Sequence, residues 1–177
     1  MPIMAVAGES GTFTPAPEGV HQAVCVDVID LGVIPGFEGK PQHKVDVVWQ
    51  IDEKRDDGKR FTLFKRYTLS INEKASLRKD LESWRGKVFT RDEELGFDVE
   101  TIKGVNCLIN VQHKPSADGK KTYANVVAVM PLVKGMPKMA ADGYERRAAK
   151  DAAQEDNTPE HFPANELPED DADVVPF

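Results

Sequence analysis

Basic and aromatic side chains lie close together in one short stretch of the sequence, KRFTLFKRY at residues 59–67. If this stretch is a β-strand, its side chains alternate between two faces, and Arg60, Phe64 and Arg66 share one of them. Guanidinium groups neutralise phosphates, and a flat ring gives a base a surface on which stacking is worth about 1–3 kcal/mol. The pattern therefore indicates a surface for single-stranded nucleic acid. The alternative is that Phe64 packs under a helix and that the charged groups are solvated residues of an edge strand.

Two other segments combine rings and cations. Residues 32–42 are rich in Gly and Pro and predict a loop, in which Phe37 has little reason to be buried. Residues 114–121 place lysines around a Pro-Ser-Ala-Asp-Gly turn, which predicts either a basic flap over a nucleic-acid backbone or a solvated hairpin tip. The predicted nucleic-acid-binding residues are Phe37, Lys44, Arg60, Phe64, Lys65, Arg66, Tyr67, Lys114, Lys120, Lys121 and Tyr123.

Five strands and one helix are predicted to position these residues. Alternating apolar residues predict strands at 20–32, 43–52, 59–70, 103–114 and 121–132. Residues 72–87 change to helical spacing, with Asn72 as the N-cap and Gly86 as the stop. Three strands, a helix and two strands is the element order of the OB-fold, a five-stranded Greek-key barrel in a mainly β protein. An SH3-like barrel or a small β-sandwich also accepts five strands, although neither expects a helix at that point.

The apolar positions of these elements predict the core. In the first strand, Val20, Val24, Val26 and Val28 are expected on one face, with Cys25 and Asp27 on the other. Trp49 in the second strand and Trp84 on the helix are expected to be buried. Cys25 and Cys107 lie within apolar runs, which favours buried thiols over a disulfide.

Charge divides the chain into a body and a tail. All 23 Lys and Arg lie in residues 1–150 with 21 of the 30 Asp and Glu, so this part carries +2, whereas the nine acids of residues 151–177 bring the total to −7. Four prolines and no periodicity after residue 154 predict disorder. The expected parts are a loose arm (1–17), a nucleic-acid-binding OB-fold domain (18–134), a polar linker with a possible short helix (135–154) and a disordered acidic tail (155–177).

Other function classes find little support in the sequence. No phosphate-binding loop, nucleophile elbow or zinc-ligand spacing is present, so we expect neither an enzyme nor a cofactor or metal. A metal-dependent nuclease would need inward-facing acids on strands, for which only Asp27, Asp46 and Asp52 are available. No apolar run approaches the roughly 20 residues that span a bilayer, and residues 1–11 lack signal-peptide features, so a cytoplasmic protein without a membrane partner is expected.

The tail carries a resemblance to a known family. Its last residues, DADVVPF, resemble the acidic tip of replicative single-stranded DNA-binding proteins of bacteria and their phages, which ends in acids, an aliphatic residue, Pro and Phe. The resemblance implies that this tip recruits replication, recombination and repair proteins, with its terminal ring in an apolar pocket and its carboxylate held by a basic residue. The implied partner-binding residues are Asp170, Asp171, Asp173, Val175, Pro176 and Phe177.

The body departs from the bacterial pattern, because its helix and long loops do not match and its linker lacks a Gly/Gln-rich stretch. It is more similar to a phage-encoded protein, which would act in the cytoplasm of the host cell, and a monomer or dimer is as plausible as a tetramer. The leading hypothesis is a non-catalytic protein that coats single-stranded DNA with little sequence preference during replication and recombination. An OB-fold adaptor with little DNA binding is the alternative. DNA and RNA are not distinguished by these residues.

Overall fold

The computed structural model describes residues 14–146, and its elements follow the predicted order. All five strands and the main helix are confirmed, and a short helix and two 3-10 turns are added. The tail residues 155–177 and most of the helix considered in the linker lie outside the described residues. The elements are β1 (Gly19–Pro35), β2 (Pro41–Lys54), β3 (Arg60–Thr68), α1 (Ser76–Arg85), α2 (Arg91–Glu94), β4 (Asn106–Pro115) and β5 (Thr122–Pro131), with 3-10 turns at Phe37–Gly39 and Val99–Ile102.

The five strands form one antiparallel sheet in the order β3-β2-β1-β4-β5. Three consecutive strands followed by a fourth that returns beside the first is the Greek-key arrangement. The edge strands β3 and β5 approach each other, but within residues 14–146 no strand pairing between them closes the sheet. The prediction of a mainly β fold with a helix between the third and fourth strands is therefore confirmed, whereas closure into a barrel is not seen.

Helix α1 covers one face of the sheet, because its apolar residues recur at the spacing of helical turns. Leu77, Leu81 and Trp84 are all buried. The ring centroids of Trp84 and Trp49 lie 6.1 Å apart, so both tryptophans belong to the core, as predicted. Gly86 ends the helix in the left-handed conformation with φ of 69°, which glycine adopts without a steric penalty.

The predicted N-cap of this helix is wrong. Ala75 precedes the first helical residue and makes no side-chain capping bond. Asn72 lies in a turn before the helix, where its carbonyl oxygen accepts a hydrogen bond of 2.9 Å from the Ala75 amide. The helix therefore begins one turn later than the capping preference of Asn suggests.

A β-bulge changes the predicted faces of β1. The register shifts between Cys25 and Asp27, so one extra residue, Val26, enters the strand without a partner on β2. Cys25 faces the core before the bulge and Val28 faces it afterwards, whereas Val20 is 59% exposed. The expected four-valine face is wrong, because a bulge inverts the alternation of the residues that follow it.

Candidate nucleic-acid interface

The face of β1, β2 and β3 that points away from α1 contains the candidate interface. Ile29, Leu31 and Val48 form a small apolar cluster on this face, separate from the core, and Phe64 packs against it. Phe64 therefore does not lie under the helix, which removes one of the two interpretations of this ring. We call this surface the outer face and define it by Asp27, Ile29, Asp46, Val48, Gln50, Phe64 and Arg66.

Two predicted binding residues point to the opposite side of β3. Lys65 Nζ lies 2.7 Å from Asp80 Oδ2 on α1, and the Tyr67 hydroxyl donates to the same oxygen at 2.7 Å. Tyr67 is 2% exposed, and burial raises the pKa of its phenol well above its ordinary value. The strand alternation that brings Phe64 to the outer face thus places Lys65 and Tyr67 on the helix side, where neither side chain joins the outer face.

Two other predicted cations are engaged within the fold. The Arg66 guanidinium donates from Nε to Asp46 Oδ1 at 2.7 Å and from Nη2 to Oδ2 at 2.8 Å, and the two side chains are 2% and 0% exposed. Lys44 is buried and donates to Thr68 Oγ1 at 3.0 Å. Because these groups are committed to partners on the sheet, they shape the outer face rather than present charge to a ligand.

The two predicted binding loops lie at opposite ends of β1. Phe37 is 45% exposed in the 3-10 turn that follows the C-terminal end of β1. The β4–β5 hairpin, which includes the paired residues Lys114 and Tyr123, extends past the other end, because Gly19 pairs with Val111. The structure therefore does not bring Phe37 and the lysines of the hairpin together in one cluster.

The tip of the β4–β5 hairpin is a closed turn rather than a loose flap. The Ser116 amide donates to the Lys121 carbonyl at 2.8 Å. The Asp118 carboxylate accepts from the Ser116 hydroxyl and from the Lys120 amide, and these bonds lower the pKa of Asp118. Lys120 and Lys121 are exposed on this fixed turn, so the geometry corresponds to a solvated hairpin tip that presents basic side chains.

Part of the segment that the sequence analysis assigns to a polar linker (135–154) crosses the outer face. Residues 137–146, which we call the strap, follow β5 without forming a helix or strand. The Gln22 side chain donates to the Pro137 carbonyl at 2.6 Å, and Arg60 Nη1 donates to the Ala140 carbonyl at 2.6 Å. Because Gln22 lies on β1 and Arg60 on β3, the strap extends over the strands that carry the candidate site.

Two side-chain amides hold the strap by its backbone. The Asn106 amide donates to the Met139 carbonyl at 2.9 Å and accepts from the Met139 amide at 2.8 Å. Three residues further on, Gln50 repeats this reciprocal pair with Asp142, with both distances at 2.8 Å. Each side-chain amide thus forms two hydrogen bonds with the backbone of one strap residue, one to its carbonyl and one from its amide. A residue of a neighbouring β-strand would form the same pair of bonds.

The end of the strap lies beside Phe64. The Tyr144 hydroxyl donates to Asp27 Oδ2 at 3.0 Å, and Arg146 Nε lies 3.4 Å from the same oxygen. The Tyr144 side chain packs against the apolar cluster that also holds Phe64. Two aromatic residues therefore pack against the same apolar cluster of the outer face.

The strap is held by hydrogen bonds more than by apolar burial. Ordering one residue of backbone costs about 1–2 kcal/mol, whereas one hydrogen bond contributes about 1 kcal/mol net. Most strap residues are exposed, and only Met139 and Tyr144 are partly buried. Segments with few buried apolar contacts open at low free energy, so we expect the strap to open more readily than the sheet beneath it.

The acids on the strands have structural partners. Asp46 binds Arg66, and Asp27 accepts from Tyr144 and from the Val28 amide. Within residues 14–146, no group of His, Cys, Asp and Glu has the arrangement of a metal site. The same part of the chain contains no helix that is long and apolar enough to cross a membrane.

The sequence matches no family model and no curated protein. The resemblance of the tail therefore rests on its own residues, and the interpretation of the body rests on its fold and on the chemistry of the outer face.

Proposed function

We propose that the protein binds single-stranded DNA through an OB-fold body. The observation that supports this most is the strand order β3-β2-β1-β4-β5 with a helix between β3 and β4. An OB-fold has this order and also pairs its third and fifth strands, and in this chain β3 and β5 approach each other without pairing. Proteins of this fold bind oligonucleotides on the face of strands two and three. In this chain that face is the outer face, and it carries Phe64.

The binding surface in this proposal is smaller than the sequence suggests. Phe64 supplies the ring for stacking, and Arg60 supplies a guanidinium at the edge of the same face. Phe37 extends the surface at one end of β1, and Lys120 and Lys121 extend it at the other. Lys44 and Arg66 support the face from within, while Lys65 and Tyr67 are not part of it.

The second half of the proposal concerns the tail, which lies outside the described residues. Residues 170–177 recruit a replication or recombination protein through Pro176 and Phe177, while the acids compete with DNA for the body. Substitution of Phe177 by alanine then abolishes capture of the partner and leaves DNA affinity nearly unchanged.

A titration of labelled oligonucleotides tests DNA binding directly. Both tryptophans are buried in the core, so fluorescence anisotropy of a labelled oligo-dT is a better signal than intrinsic fluorescence. We expect binding that weakens steeply between 50 and 200 mM salt, as phosphate contacts require, and little binding to duplex DNA of the same length. Absence of oligo-dT binding at low salt would refute the proposal. The affinity for single-stranded RNA of equal length, measured in the same way, shows whether the 2′-hydroxyl group affects binding.

One observation favours an adaptor that binds proteins instead. The most buried cations of the candidate face are already paired, since Arg66 binds Asp46. An adaptor captures its partner without measurable DNA affinity, and the double variant Arg60→Ala, Phe64→Ala captures that partner as well as the unmodified chain does.

A further inference from the structure

The strap lies on the surface that the proposed function assigns to a single strand of DNA. The strap crosses β1, β2 and β3 on the outer face, and Tyr144 packs on the apolar cluster beside Phe64. The Arg60 guanidinium donates to the Ala140 carbonyl, which is a place that a phosphate oxygen would otherwise take. A strand stacked on Phe64 and bound by Arg60 therefore cannot lie on the outer face together with the strap in its observed position.

We propose that the outer face has two alternative occupants, the strap in the free protein and a single strand in the complex, and that Asn106 and Gln50 form the latch that holds the strap. This inference rests on the proposed function. The latch side chains are 8% and 3% exposed, although both are polar and lie on strands. Their donors and acceptors are satisfied by the backbone of Met139 and Asp142, which explains why polar groups are buried there.

The chemistry of the latch suits an exchange of occupants. Asn106 and Gln50 bind the strap through its backbone, and the same amide groups bond equally well to water or to the polar edges of bases when the strap leaves. When the strap leaves, the Arg60 guanidinium loses its bond to the Ala140 carbonyl and becomes available to a phosphate. The apolar patch around Phe64 becomes exposed at the same time. The apparent DNA affinity is then the intrinsic affinity multiplied by the fraction of molecules in which the face is open.

A proline substitution in the strap tests the latch without changing the sheet. Met139→Pro removes the amide that donates to Asn106, and Ala141→Pro is the matched control. Both changes replace an uncharged strap residue, and no hydrogen bond from the Ala141 amide is present among the described residues. In the full chain, we expect Met139→Pro to bind labelled oligo-dT about fivefold more tightly than the unmodified protein, while Ala141→Pro changes affinity much less. Equal affinity of the two variants would contradict the proposal.

Hydrogen exchange separates failure of this proposal from failure of the proposed function. In the unmodified chain, the Met139 and Asp142 amides are expected to be protected in the free protein and to lose that protection when oligo-dT is added. If oligo-dT binds and both amides stay protected, the strap is a permanent part of the fold and the exchange is refuted, while DNA binding stands. If neither the unmodified chain nor Met139→Pro binds oligo-dT, the proposed function fails, and the exchange fails with it.

Discussion

The two faces of the sheet are covered in different ways. The inner face is covered by α1 through large apolar side chains, among them Leu77, Leu81 and Trp84. The outer face is covered by the strap, mainly through side-chain amides that bond to backbone atoms. Apolar burial is lost whenever the helix moves away, whereas the outer hydrogen bonds are replaced by bonds to water. The inner contact is therefore suited to a permanent core and the outer contact to an exchangeable one.

The ion pairs of two neighbouring β3 residues differ in the opposite direction, because the pair on the outer face is the more deeply buried one. Arg66 on the outer face is paired with Asp46, and both side chains are almost completely buried. Lys65 on the inner side is paired with Asp80, and these side chains are 13% and 19% exposed. Substitution of one partner is expected to destabilise the protein more in the deeply buried pair, because it leaves an unpaired charge that water does not reach.

The largest expected effect comes from breaking the buried pair. Arg66→Met leaves the Asp46 carboxylate buried without its partner and should lower the free energy of unfolding by about 3–5 kcal/mol. The double variant Arg66→Met, Asp46→Leu should recover most of this loss, because no buried charge remains. Urea denaturation of the three proteins measures both effects. A single variant as stable as the unmodified protein would show that the pair does not support the outer face.

Matched isoleucines compare the two apolar clusters. Ile109 lies in the large inner core and Ile29 in the small outer cluster, and each is at most 1% exposed. Truncation of either to alanine removes the same atoms, but the cost grows with the cavity that remains. We expect the free energy of unfolding to fall by about 4 kcal/mol in Ile109→Ala and by about 2 kcal/mol in Ile29→Ala. The second loss is smaller because the strap can move into the cavity that the truncation of Ile29 leaves. Equal losses in urea denaturation would argue that the strap is packed as firmly as α1.

A smaller effect is expected at the end of α1 and depends on pH. The Phe89 amide, at 3.0 Å from Glu82 Oε1, and the Arg78 guanidinium lower the pKa of Glu82 below its ordinary value of 4.5. A lowered carboxyl pKa stabilises the fold above the unfolded value, and this contribution is lost as the pH falls through the folded value.

Glu82→Gln should therefore destabilise the protein by about 1 kcal/mol at pH 7. Its melting temperature should approach that of the unmodified protein as the pH falls below 4.5. The exposed Glu100→Gln is the control and should change little at either pH. A difference between Glu82→Gln and the unmodified protein that is constant from pH 7 to pH 3 would exclude the carboxylate as its cause.

The smallest expected signal is the reaction of the thiols. Cys25 and Cys107 are free and buried in the inner core, where burial raises the pKa of Cys25 to about 12 and that of Cys107 further. Since the thiolate is the reactive form, neither should react with a disulfide reagent at pH 8 until the protein is unfolded in urea. Rapid reaction of the native chain would show that the inner face opens as readily as the outer one.

Local patterns in the sequence predict most of the elements of the fold. Strand alternation identified β1 to β5, and the spacing of Leu77, Leu81 and Trp84 identified α1, because each pattern reflects burial of one face of one element. The bulge at Val26 could not be predicted, since valines at 24, 26 and 28 continue the alternation across it. Closure of the sheet depends on contacts between β3 and β5, which no local pattern encodes.

The candidate site was less predictable than the fold. Alternation placed Phe64 and Arg66 on one face, but the Asp46 partner of Arg66 lies on another strand and depends on the pairing register. The sequence does not reveal the strap, because most of its hydrogen bonds to the sheet involve its backbone, which leaves no pattern in its side chains. Gln50 and Asn106 were the available signal, but a polar residue at an outward strand position looks the same whether it binds water or a peptide.

The most direct test of the account concerns the ring on the outer face. Phe64→Ala should weaken binding of labelled oligo-dT by about 5- to 150-fold, which corresponds to the loss of one stacked base. Phe97→Ala is the matched control, because this partly buried ring packs against Phe89, next to the inner core. We expect only Phe64→Ala to weaken binding, while both variants stay folded. Unchanged oligo-dT affinity in folded Phe64→Ala would contradict the assignment of DNA binding to the outer face.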